Sequence, residues 1–175
     1  MAKKWIFVAP KYMANPIDIL KKTQVRKSGL TESSPLDFGK LPPQVRELEE
    51  AVLGAVMIEQ NAINSVIDIL KDDSFYVDSH QRIWRAIKIL FANQAPVDLL
   101  TVTEQLKKHD DLEAVGGPFY LAQLTNKVGS AANVEYHARI IAEKQIQRAL
   151  ISTSTEIIKE AYEDSTDVFE LLDKA

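Results

Sequence analysis

From Leu41 onward the apolar residues of this chain recur at steps of three and four, the period of a helix and not of a strand. Pro42–Pro43 gives an extended lead-in, after which Val45, Leu48, Val52, Ala55 and Val56 make one stripe across 44–59. Asn61 is placed to cap a second helix carrying Ile63, Val66, Ile67 and Leu70, closed by Asp72–Asp73–Ser74. Phe75 and Tyr76 follow as large plugs for a core. A third helix over 79–92 buries Ile83, Trp84, Ile87 and Leu90 or Phe91, leaves Gln81, Arg82, Arg85 and Lys88 in water, and stops at Pro96. A fourth spans 99–109, with Leu99, Val102 and Leu106 inward and Asp98 or Thr101 as its cap. Gly116–Gly117–Pro118 then makes a turn and a helix start, and Phe119, Leu121, Leu124 and Val128 line a short fifth helix that Gly129–Ser130 ends.

Beyond Gly129 there is neither Gly nor Pro, so 131–163 can run as helix for about 33 residues, or roughly 50 Å. An arm of that length projects beyond a small globule. Tyr136, Ile140 and Ile141 form one apolar strip and Ile146, Leu150, Ile157 and Ile158 another, offset near Lys144–Gln145, where the arm is expected to bend or change partner. Both strips could lie on the globule. More apolar helix is present than one small head can cover, which favours a hairpin that pairs with a second copy.

Charge divides the chain at residue 40. Residues 1–40 hold eight Lys/Arg against three acids, a net +5, so the remainder carries −9 to reach the overall −4. Pro10, Pro16 and Pro35 and the polar run from Ser28 to Ser34 fragment any helical pattern there, so 1–40 reads as a basic, mostly disordered tail. With no cysteine, no apolar run of about 18 residues and no signal-peptide pattern, the composition reads as a soluble cytoplasmic protein.

Five segments, LPPQVRELEEAVLGAVM, SFYVDSHQRIW, PVDLLTVTEQL, VGGPFYLAQL and SAANVEYHARIIAEK, follow one another between Leu41 and Lys144. In that order and spacing they resemble the N-terminal domain of DnaB-type replicative DNA helicases. The resemblance implies an all-α fold: a compact helical head over 41–130, a protruding helical hairpin or arm over 131–163, and the start of a linker helix over 164–175, with Asp167 as its cap. In that family hairpins pair, so that six copies form a trimer-of-dimers collar. The collar receives the C-terminal domain of the primase, and in some bacteria a loader also engages the helicase. Tyr136, Arg139, Ile140, Glu143, Lys144, Gln147 and Leu150 are the expected self-association or partner surface, and Phe169, Leu171 and Leu172 the expected linker contact to a motor domain. No G-x-x-x-x-G-K-[ST] phosphate cradle occurs in these 175 residues, so ATP and Mg²⁺ belong to a parent helicase and no cofactor or catalytic residue is expected here. The long apolar tail at 1–40 falls outside the resemblance.

Three other constellations suggest different chemistry. His80, His109–Asp110 and Asp164 resemble the ligand order of HD-type metal phosphohydrolases, but His109–Asp110 sits at a fraying helix end beside Lys107 and Lys108, a setting for a solvated cap. His137 on the arm reads as a surface histidine, and no metal is expected. Residues 99–109 and 118–128 have helix-turn-helix spacing, which would make the chain a helical nucleic-acid-binding regulator. Its recognition helix offers Lys127 alone, and groove readers need several cations. In the tail, Lys3–Lys4–Trp5, Lys11–Tyr12 and Lys21–Lys22 set cations beside or near aromatics, as single-strand binders do.

Overall fold

The structure is a computed structural model that describes residues 41–163 together with Phe169, Leu171 and Leu172. The chain divides into a unit of 1–38 and a unit of 39–175, and the description that follows is of the second. The tail of residues 1–40, Asp164 and Asp167 lie outside the described residues.

Six α-helices and one 3-10 turn make up the described fold: α1 (Arg46–Ile58), α2 (Ala62–Val66), the 3-10 turn (Asp72–Ser74), α3 (Asp78–Ala92), α4 (Leu99–Lys108), α5 (Gly117–Asn126) and α6 (Val134–Ala161). No strand occurs among the described residues. The α1 helix is the hub and touches every other helix. Its buried stripe of Val52, Leu53, Ala55 and Val56 joins Ile83, Trp84 and Ile87 of α3, Val102 and Leu106 of α4, and Leu121 and Leu124 of α5 in a single core. At the crossing of α1 and α5, a Cβ on Gly54 would stand 2.2 Å from the Leu124 carbonyl oxygen. Only glycine fits that crossing.

The local signals at helix ends act as their chemistry predicts in two places. Asp98 caps α4, accepting from the backbone N–H of Leu100 and Thr101 at 2.9 Å each, while Thr101 Oγ1 accepts from Asp98 N–H at 2.9 Å. Both candidate caps therefore work as a reciprocal pair. At the start of α5, Gly116 and Gly117 adopt left-handed φ values of 99° and 71°, which side chains disfavour.

Four expectations are corrected. The second helix stops at Val66 and passes into turns, although Ile63, Val66 and Leu70 are all buried as the stripe required. Its β-branched residues with Ser65 and Asp68 support helix weakly. Asn61 makes no side-chain cap bond, its backbone already being helical at φ −82° and ψ −16°. Phe75 plugs the core, but Tyr76 stays partly exposed at its edge. Phe119 is 74% exposed, because it lies two residues, or about 200°, from Leu121 on the helix.

Candidate partner interface

The arm is a single helix. Nothing between Val134 and Ala161 interrupts the backbone ladder, and Lys144–Gln145 continues it without a break, both being good helix formers. Its 28 residues span about 42 Å. The two strips expected to fold into a hairpin within 131–163 thus lie on one rod, while Phe169, Leu171 and Leu172 beyond it are again helical. What changes along the rod is its burial against the head.

One seam faces the head. Val134, Ala138, Ile141, Gln145 and Arg148 follow steps of four and three, and the first three are buried against the core. Gln145 Nε2 donates to Asp73 at 3.0 Å. The Arg148 guanidinium donates to the carbonyls of Pro43 (2.9 Å), Asp73 (3.1 Å) and Ser74 (2.8 Å), and lies 5.8 Å from the Tyr76 ring centroid. Beyond Arg148, every side chain from Ala149 through Glu156 is exposed.

The other seam faces away. Tyr136, Ile140, Glu143, Gln147 and Leu150 also follow steps of four and three, displaced by two residues from the inner seam and so about 200° around the helix. Tyr136 is 67% and Leu150 63% exposed, and Ile146, Ile151, Ile158 and Tyr162 extend the apolar surface outward. Across the middle, Lys144 Nζ donates to Gln147 Oε1 at 3.1 Å and Gln147 Nε2 to Glu143 at 3.3 Å. Arg139 pairs with Glu135 at 2.7 Å. Five of the seven expected interface residues share this outward stripe, with Arg139 and Lys144 on its flanks. Of the three residues expected to contact a motor domain, Phe169 and Leu172 are exposed and Leu171 is half-buried.

Beneath Tyr76 lies a polar cluster that sequence reasoning missed. Glu49, 1% exposed on α1, accepts from Tyr76 N–H at 2.7 Å, from Val77 N–H at 3.4 Å and from His80 Nδ1 at 2.7 Å. A carboxylate only accepts, so Nδ1 carries the proton. On its far side His80 Nε2 meets Tyr120 Oη at 2.7 Å, with the two rings stacked at 5°. Burial, and after it the Glu50 carboxylate, push the Tyr120 phenol above its ordinary range. Three helices, α1, α3 and α5, are pinned through this one chain of bonds. A signal was present: Glu49 continues the Val45–Val52–Val56 stripe, and His80 the Ile83–Ile87–Leu90 stripe, each a polar residue at an apolar position.

Of the other candidates, His80, His109 and Lys127 lie within the described residues. Both His80 ring nitrogens are engaged by Glu49 and Tyr120, whereas His109 sits at the end of α4 with Gln105 Nε2 3.0 Å from its Nε2. Among the described residues no group of three His, Cys, Asp or Glu is placed to hold a metal. Lys127, the single cation of the would-be recognition helix, is held by Glu50 at 2.6 Å.

The helical head with its docked arm has solved counterparts. The DnaB-like helicase N terminal domain family matches residues 41–143. This chain belongs to that family. The replicative DNA helicase DnaB of Rhodothermus marinus is 46% identical over 166 residues, covering 95% of this chain, and the replicative DNA helicase DnaC of Bacillus subtilis is 45% identical over 136 residues, covering 78%. The chain spans only 17% and 30% of those two relatives. A crystal structure of the N-terminal domain of DnaB helicase from Mycobacterium tuberculosis matches with a TM-score of 0.73 at 34% identity, covering 77% of this chain and 94% of that one. One expectation changes with these matches. The family's domain starts at residue 41, but the Rhodothermus relative reaches through most of 1–40, so part of the tail is shared with at least one DnaB helicase. No helix of the described residues is long and apolar enough to cross a membrane.

Proposed function

We propose that this chain is the assembly and docking module of a replicative DNA helicase. It pairs with other copies through the outward seam of α6 and presents the resulting collar to the C-terminal domain of a primase. In the parent protein a separate motor domain supplies ATP and Mg²⁺ chemistry and grips DNA, a loader engages the assembled ring, and the whole acts in the cytoplasm. Phe169, Leu171 and Leu172 begin the link to that motor. The observation that carries the reading is the pair of seams on one helix: Arg148 and the buried trio fix the rod to the head, while on the opposite stripe Tyr136, Glu143 and Leu150 stand exposed and Ile140 is half-buried. Exposed apolar rows at heptad spacing are stabilised by a second helix laid along them.

The partner half of the proposal is tested by calorimetric titration of a primase C-terminal domain into the chain. Saturable binding that is weakened by Arg139→Glu or Lys144→Glu is expected. No heat at concentrations where the chain is assembled would remove primase docking from the account.

A further inference from the structure

A cleft of about 690 Å³ opens between the α1–α2 junction and the end of α3. Its floor includes the buried Ile63 and Val97, and its rim carries four carboxamides, Gln60, Asn61, Asn64 and Gln94, all exposed. None of the lining residues is ionisable, in a chain of which 26% is charged. The four carboxamides make no side-chain hydrogen bond with any described residue. Gln94 adds a second observation. It follows α3 with Gln94 N–H bonded to the Phe91 carbonyl at 3.0 Å and Ala95 N–H to that of Leu90 at 2.9 Å, a helix-ending turn in which the left-handed residue is usually glycine. Here that residue has φ 55° and a long amide side chain, held against its backbone preference.

We propose that this cleft is a docking site for an uncharged, apolar peptide segment of another protein, whose main-chain N–H and C=O groups are read by the four carboxamides. Each carboxamide donates and accepts, as a peptide group does. Nucleic acid would bring phosphates to a surface without a cation, and a charged peptide would lose hydration there without meeting an opposite charge. Apolar side chains of a neutral segment cover Phe91, Ala92 and Pro96 instead, the apolar lining that stands at least partly exposed. None of the outward-seam residues of the arm lines this surface, and the inference goes beyond the assembly reading.

The test is NMR titration of the full chain with short capped peptides of Leu, Val, Ser and Thr, beside the same peptides carrying Lys or Glu and a single-stranded oligonucleotide. Neutral peptides are expected to shift the side-chain amides of Asn61, Asn64 and Gln94 and the backbone of Ala95 and Val97. Gln94→Gly should weaken that binding about tenfold while raising the melting temperature by a few degrees, and Asn64→Asp should weaken it in a folded protein. No shift at millimolar neutral peptide, equal shifts with charged peptides or oligonucleotide, or the same shifts produced by protein concentration alone would each overturn the proposal, the last by making the occupant a second copy.

Discussion

Replacing Glu49 with alanine tests the internal logic of the head. Three donors, Tyr76 N–H, Val77 N–H and His80 Nδ1–H, converge on its carboxylate in a place where the side chains of Glu49 and His80 are 1% and 0% exposed. Alanine leaves these donors facing a void. The two short bonds dominate, and each orphaned buried donor costs about 1–3 kcal/mol, to which the lost packing of the side chain adds. A loss of about 3–5 kcal/mol is expected, a large share of a typical domain's stability. Glu49→Gln keeps the shape. Its oxygen still accepts from Tyr76, but its NH₂ must donate to Nδ1, which moves the imidazole proton to Nε2 and makes Tyr120 an acceptor. Urea unfolding should therefore rank wild type above Gln and Gln well above Ala, and the ¹⁵N shifts of His80 should report the exchanged tautomer in the Gln variant. An alanine variant within about 1 kcal/mol of wild type would refute the reasoning, because the carboxylate would then not be the group that satisfies those donors.

Two further outcomes follow from single contacts. Gly54→Ala places a Cβ against the Leu124 carbonyl, a backbone atom that cannot swing aside, and should destabilise the chain by about 3 kcal/mol or more in thermal unfolding, with α1 and α5 pushed apart. Because the folded state raises the Tyr120 phenol above its ordinary value of about 10, ionisation favours the unfolded chain: the stabilisation is complete below that value and declines as pH rises through it toward the folded one. Tyr120→Phe should lose part of that alkaline decline in denaturant titrations at increasing pH, and an unchanged slope would contradict the assignment.

Most of the fold was readable because each helix carries its own punctuation. Pro42–Pro43, Pro96, the Asp98–Thr101 pair and Gly116–Gly117–Pro118 set boundaries that hold to within a residue or two, and the three- and four-step stripes named Val52, Val56, Ile83, Trp84, Ile87, Val102, Leu106, Leu121 and Leu124 as core. Failures arose where a tertiary contact outranked a residue's usual preference. Glu49 and His80 are polar, and only the fold, which closes a separation of 31 positions, makes them a buried pair. Arg148 reads as an ordinary solvated cation until the carbonyls of Pro43, Asp73 and Ser74 meet it from more than seventy positions away. On the arm the stripe of Tyr136, Ile140, Glu143, Gln147 and Leu150 was visible as periodicity, but the sequence could not say which of two opposed seams the head would claim. The small residue Ala138 between Val134 and Ile141 is what lets the rod lie close, and that is legible only once α1 is in place.

The central claim, that the outward seam of α6 joins copies of this chain, is most directly tested by sedimentation equilibrium at tens of micromolar, comparing the wild type with the Leu150→Glu/Ile151→Glu double variant. Both positions are exposed, so the double variant should fold with unchanged helicity. The account predicts a wild-type mass that is a multiple of 19.7 kDa and a double variant at 19.7 kDa. A wild type that remains at 19.7 kDa throughout, or a double variant that assembles as the wild type does, would contradict it.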